Sequence, residues 1–248
     1  MKKTLKQIIN AGKSIAVAGA LAFLSGCSSL KTEFKGGIDI GLSYANLNLP
    51  KEIQTTPVHP KDGGPSYGGA TADIKHGIDF YFPSMNYEAS AGTERLKLFA
   101  AINPRISWAG INGGGYRGGW YAVELQRTGW GGESYAFTQV YPDIFSYVPS
   151  AGLEVLLKED IVLRVEAGMP HNGFHFKKGH DRWGSWETTD RDTWRGFGKS
   201  YGLSLGHSNK ESFLGIIGKI EQYEPEFLGK KGDITSYSLG MLVFNKSL

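Results

Sequence analysis

The chain has 248 residues, 35 of them glycine, 12% aromatic side chains and a formal net charge of +3. Four lysines and no acidic residue lie in residues 1–26, so the remainder carries a net charge of −1 and gives no support to nucleic-acid binding. The single cysteine excludes intrachain disulfides, and the length fits one all-β domain.

The N-terminal segment is typical of a secretory signal. Its lysines precede an apolar run at residues 15–24, which at about ten residues is half the ~20 that a membrane-spanning helix needs. The run ends Leu24-Ser25-Gly26-Cys27.

This ending resembles the lipobox of bacterial lipoproteins. The resemblance implies diacylglyceryl transfer to the Cys27 sulfur, cleavage after Gly26 and acylation, as by palmitate, of the new amino terminus. A residue other than Asp after the cysteine, here Ser28, implies export to the outer membrane. Because two or more acyl chains anchor a protein stably, the expected partner is membrane lipid through Cys27. The expected organisation is a signal peptide (1–26), a lipidated tether (27–36) and one barrel domain (37–248).

Alternating side chains predict strands along the rest of the chain. Residues 38–45 alternate apolar with small or polar side chains, as do residues 74–82. A Pro- and Gly-rich stretch at 47–72 predicts a long loop between them. Further strands are expected at 95–102, 121–127 and 134–140, with connections at 83–94, 109–119 and 128–133.

Two hairpins have a defined register. A turn at 158–160 pairs Leu153 with Val165 on one face and places Glu154 opposite Arg164 on the other, which predicts a lumen ion pair. A turn at 208–211 pairs the next two strands, and the last strand is expected at 234–244.

These elements predict an all-β, up-and-down antiparallel β-barrel of about ten strands, within a range of eight to twelve. Short and long connections alternate, as in transmembrane barrels of the outer membrane. A soluble, lipocalin-like barrel with an apolar lumen is the alternative.

The polar strand faces favour the transmembrane barrel. They are rich in Gly and Ser, which fit a narrow lumen, whereas glycine on a solvent-exposed strand is costly. The expected lumen charges are Glu124, Glu154, Arg164 and Glu166. The expected interfacial aromatic girdles comprise Tyr44, Phe82, Trp120, Tyr121, Tyr135, Tyr201, Tyr223 and Phe244.

The stretch 170–197 is interpreted as a long loop rich in His, Trp and Arg. Trp183, Trp186, Trp194 and Arg182 are candidate contacts for an extracellular sugar or lipid ligand. The alternative is a structured loop whose aromatic residues pack together and cover the barrel mouth. The spacing of His171, His175 and His180 matches no metal motif, so no metal or cofactor is expected.

Three functions remain open. The first is a lipid-anchored barrel without catalysis, in a structural, interaction or small-solute role. The second is the lipocalin-like barrel with an apolar ligand. The third is an enzyme acting on envelope lipids: His207-Ser208-Asn209 resembles, with altered spacing, the His-x-Ser-Asn motif of lipid A deacylases. A dyad of His207 with Ser212 across the turn would be required.

Overall fold

The computed structural model describes residues 31–57, 69–113, 119–127, 133–182, 185–209 and 212–245. Within these ranges, no helix is long and apolar enough to cross a bilayer. The elements in chain order are β1 (Lys31–Asn48), α1 (Lys51–Gln54), β2 (Thr55–Pro57), β3 (Gly69–Thr71), β4 (His76–Gly92), β5 (Leu96–Ile106), α2 (Trp108–Asn112), β6 (Trp120–Arg127), β7 (Glu133–Pro142), β8 (Phe145–Lys158), β9 (Ile161–Gly168), β10 (His171–Arg182), β11 (Ser185–Phe197), β12 (Lys199–Ser208), β13 (Ser212–Tyr223), β14 (Glu226–Phe227), β15 (Lys230–Lys231) and β16 (Asp233–Asn245).

Eight antiparallel strands close into a barrel. They pair in the order β1-β4-β5-β8-β9-β12-β13-β16, and β16 returns to β1. Every strand in this ring has a partner on each side, so the ring leaves no open edge. The prediction of an all-β antiparallel barrel is therefore confirmed, with a strand number at the lower limit of the expected range.

The two ends of the barrel differ. At the short-turn end, tight connections join β4 to β5, β8 to β9 and β12 to β13. Strand β1 begins at this end and strand β16 ends there. The other connections between barrel strands lie at the long-connection end, and they contain the remaining strands and both short helices.

The remaining longer strands form an extension beyond the long-connection end. It is a four-stranded antiparallel sheet in the order β6-β7-β10-β11. Strand β7 leads into barrel strand β8, and β10 follows barrel strand β9, so the extension prolongs one side of the barrel wall.

Some predicted boundaries are wrong. Residues 83–92 belong to β4 rather than to a connection, and the β1 register shifts between Asp39 and Gly41 at this point. A bulge here removes the need for Pro83 to donate a ladder hydrogen bond. The stretch 170–197 is a hairpin (β10–β11), and the predicted strands at 121–127 and 134–140 belong to the extension rather than to the barrel.

Candidate functional site

The outer face of the barrel is an apolar belt. Ile40 on β1 pairs with Met241 on β16, and Met241 pairs with Ile216 on β13; all three side chains are exposed. Leu239 and Leu203 are 65% and 56% exposed. Exposing these apolar side chains to water costs free energy, whereas exposing them to the hydrocarbon of a bilayer does not. The predicted orientation is confirmed, and the lipocalin-like alternative, which needs the opposite one, is wrong.

The inner face holds a network of ion pairs around Arg164. Its Nη1 donates to Glu154 Oε2 at 2.9 Å, and its Nη2 bonds Glu88. Lys35 Nζ lies 3.2 Å from Glu154 and 3.5 Å from Glu88. The guanidinium of Arg164 also lies 4.2 Å from the ring centroid of Phe99. The structure thus brings together the predicted pair Glu154–Arg164 and adds partners from other strands.

Two further groups of charges lie in the lumen. Lys219 Nζ is 2.9 Å from Glu166 Oε1, and both side chains are buried. Arg105 Nη1 donates to Glu221 Oε1 at 2.5 Å, while the Tyr223 hydroxyl donates to Glu221 Oε2 at 2.9 Å. Buried charges need such partners, because an unpaired charge would have a large desolvation cost. The lumen is therefore crossed by paired side chains.

The inner face of the extension covers the long-connection end with aromatic side chains. Trp120 lies over Gly77, where a Cβ atom would be 2.2 Å from the indole Cγ, and its Nε1 donates to Ile78 O at 3.0 Å. Phe174 packs between Trp120 and Trp194, at centroid distances of 6.2 and 6.0 Å. Phe174 and Trp194 of the β10–β11 hairpin thus pack together, and with Trp120 of β6, over the barrel mouth. This is the second arrangement expected for residues 170–197.

The outer face of the extension carries a polar cluster centred on Asp143. His175 Nε2 lies 2.5 Å from Asp143 Oδ1, and Arg195 Nε donates to Asp143 Oδ2 at 2.9 Å. The other imidazole nitrogen of His175 is 3.0 Å from the Thr193 hydroxyl, and the ring stacks on Tyr141 at 4.8 Å. The carboxylate thus joins the side chains of His175 and Arg195 to the junction between β7 and β8.

His171, at the start of β10, has a different environment. Its ring stacks on Tyr147 at 4.9 Å and meets Phe197 edge-on at the same distance. Burial between these rings lowers the pKa of His171, and Arg195 adds to the effect while Asp143 opposes it. The ring is therefore an aromatic packing element at neutral pH.

The candidate ligand residues do not form one site. Trp186 packs edge-on against Phe137 on the outer face, whereas Trp194 packs against Phe174 and Tyr223 on the inner face. Trp183 and the side chain of Arg182 lie outside the described residues, as does Cys27.

Other predictions about individual side chains are wrong. Glu124 is exposed on β6 and is not a lumen charge. Three expected girdle aromatics, Trp120, Tyr223 and Phe244, are buried, whereas Tyr44 and Tyr201 are exposed beside the belt.

The structure does not bring His207 and Ser212 together as a dyad. His207 Nε2 lies 2.5 Å from Asp160 Oδ2, and the Ser212 hydroxyl donates to Asn209 Oδ1 at 3.1 Å. A hydroxyl without its base is not activated. Among the described residues, no group of three His, Cys, Asp or Glu side chains could hold a metal ion.

Sequence reasoning missed the basic residues on the outer face of the extension. Lys177 lies directly opposite Arg191, two residues beyond the pair of His175 and Thr193. The alternation of Phe174 and Phe176 with His175 and Lys177 was the signal for this strand, and reading the segment as a loop concealed it.

Comparisons with known proteins find similar barrels among solved structures. Ail, the attachment invasion locus protein of Yersinia pestis, is 11% identical, with a TM-score of 0.35 over 86% of this chain and 99% of that one. Neisserial surface protein A is 11% identical, with a TM-score of 0.39 over 87% and 99%. The outer membrane protease OmpT of Escherichia coli is 9% identical, with a TM-score of 0.30 over 88% and 96%. No family model and no curated protein sequence matches the chain.

The chain has the fold of an outer-membrane β-barrel. This conclusion depends on its own geometry: a closed eight-stranded antiparallel ring, an apolar exterior and a polar interior.

Proposed function

We propose that the protein is a lipoprotein of the bacterial outer membrane whose barrel is embedded in the bilayer and whose acylated Cys27 adds a second anchor. The observation that carries the proposal is the apolar belt, which only a hydrocarbon phase would cover without cost. The role proposed is structural or ligand-binding and does not include catalysis.

The position of β1 supports the anchor. Its first residue, Lys31, lies four residues after Cys27 and bonds Glu94 in the tight turn between β4 and β5 at 3.0 Å. The cysteine is thus within a few residues of the short-turn end. In outer-membrane barrels, short turns face the periplasm, where lipoprotein acyl chains enter the membrane.

The lumen supports a role other than that of an open pore. Arg164, Lys219 and Arg105 each bond a carboxylate from another strand. Small barrels filled by such side chains are packed rather than open. Binding at the outer surface or the long-connection end is therefore favoured over conduction.

The decisive experiment compares the wild-type chain with Cys27→Ser in cells fed a labelled palmitate. The wild type is expected to incorporate the label, and the variant to lose it. Both proteins are expected to need detergent for extraction and to migrate differently on a denaturing gel with and without boiling, because the folded barrel resists the detergent.

The two parts of the proposal fail separately. A Cys27→Ser protein that is soluble without detergent would contradict an embedded barrel. A wild-type protein that takes up no label would contradict acylation and leave the barrel untouched.

A further inference from the structure

Two cations face each other across strands on the outer face of the extension. Lys177 on β10 is the direct partner of Arg191 on β11, and neither forms an ion pair within the described part of the chain. Like charges directly opposite on a sheet destabilise it. The next position has the usual arrangement, since Lys178 and Asp190 lie opposite each other and are 3.4 Å apart.

Neighbouring side chains orient two of the three basic groups on this face, Lys177 and Arg195. The Lys177 ammonium lies 5.0 Å from the ring centroid of Tyr141, which itself stacks on His175. Arg195, on the same face of β11, keeps 61% of its side chain exposed despite its bond to Asp143. The result is a row of three basic groups, of which Arg191 and Arg195 are exposed and Lys177 is half-buried beside the Tyr141 ring.

This row lies above the apolar belt on a continuous surface. Phe197 and Met169, which are 59% and 57% exposed, border the belt where β10 and β11 leave the barrel. Arg191 is six residues beyond Phe197, which is about 20 Å along a strand and about 15 Å along the membrane normal at a tilt of roughly 40°. A phospholipid headgroup layer is only about 5–8 Å thick on each side of the hydrocarbon.

We propose that Lys177 and Arg191, with Arg195, bind phosphate groups on the saccharide headgroup of an outer-leaflet glycolipid. Guanidinium and ammonium groups form strong, charge-assisted hydrogen bonds with phosphate. A saccharide headgroup reaches the required height above the belt, and its phosphates neutralise the opposed cations. This inference rests on the membrane orientation proposed above.

The test uses the full chain in nonionic detergent with EDTA, and measures binding by microscale thermophoresis. The probes are rough-type lipopolysaccharide with phosphorylated core sugars, the same lipopolysaccharide after dephosphorylation, phosphatidylglycerol, and heparin as a soluble polyanion. The variant is Lys177→Gln/Arg191→Gln. Its matched control is Lys230→Gln/Lys231→Gln, which removes two exposed lysines from β15.

We expect the Lys177→Gln/Arg191→Gln variant to bind the phosphorylated probe about tenfold more weakly or worse, and the control to change by less than about twofold. Dephosphorylated lipopolysaccharide and phosphatidylglycerol should bind wild type as weakly as the phosphorylated probe binds the variant. The unliganded variant should unfold at a denaturant concentration no lower than wild type, because a repulsion has been removed.

Several results would overturn the proposal. Equal losses of affinity in the variant and the control would indicate general charge attraction. Phosphatidylglycerol binding as tightly as the phosphorylated probe would contradict the inference that the ligand phosphates lie above the phospholipid headgroups. Heparin binding as tightly would indicate a soluble polyanion as the ligand. In each case the gel shift and the detergent requirement would persist, whereas failure of the embedded barrel would abolish both.

Discussion

Replacing Arg164 by methionine tests the lumen network. The arginine side chain is 3% exposed and lies between Glu88 and Glu154, which are themselves buried. Its loss would leave Lys35, at 3.5 and 3.2 Å, as the nearest cation to both carboxylates. Removing one partner of a buried ion pair costs about 3–5 kcal/mol. We expect the free energy of unfolding of Arg164→Met to fall by that amount.

The assay is urea unfolding in detergent micelles, followed by tryptophan fluorescence. Arg195→Met is the matched control, because that arginine also bonds a carboxylate but is largely exposed; it should cost less than about 1 kcal/mol. Glu154→Gln combined with Arg164→Met should be less destabilised than Arg164→Met alone, since one uncompensated charge is removed. If the two variants Arg164→Met and Arg195→Met have equal free energies of unfolding, the reasoning that the buried lumen network stabilises the barrel is refuted.

Other positions test the belt, the covered mouth and the junction. Leu239→Arg, in the belt, should cost about 2–4 kcal/mol in lipid vesicles, and Asn46→Arg, near the rim, about 0–1; equal costs would argue against an embedded belt. Gly77→Val should displace the Trp120 indole and shift its fluorescence to longer wavelength, at a cost of about 1–3 kcal/mol. Gly218→Ala, whose nearest neighbouring atom is 4.0 Å from the new Cβ, is its control. The His171 ring should titrate by NMR below the ordinary value of about 6.5, so the stability that its burial contributes declines as the pH falls below that value.

The orientation of the barrel strands could be predicted because it is a local property. In β16, Leu239 and Met241 alternate with Ser238 and Gly240, and two unlike faces in one strand already indicate two unlike solvents. The Glu154–Arg164 pairing followed from one short turn, since a turn fixes the register of its hairpin.

The parts that were missed depend on contacts between distant segments. Phe244 was expected in an interfacial girdle, but it lies in the lumen with the Arg164 guanidinium 4.9 Å from its ring. The alternation in β16 already places Phe244 on the same face as Ser238 and Gly240, but it does not reveal the cationic partner on β9. Trp120 is buried for a similar reason, because Gly77, far away in sequence, provides the space. The β10–β11 hairpin of the extension was missed because its glycines, charged residues and tryptophans obscure the alternation of apolar and polar side chains along residues 170–197.

The most direct test of the embedded barrel uses single spin labels along β16 in lipid vesicles. Cysteines are introduced one at a time from Tyr237 to Val243 in the Cys27→Ser background, and collisions with oxygen and with a water-soluble nickel complex are measured by electron paramagnetic resonance. Labels at Tyr237, Leu239, Met241 and Val243 should be accessible to oxygen and shielded from nickel, while those at Ser238, Gly240 and Leu242 should be shielded from oxygen. If the labels at Tyr237, Leu239, Met241 and Val243 are as accessible to nickel as a label in water, the result contradicts a barrel whose apolar face meets lipid.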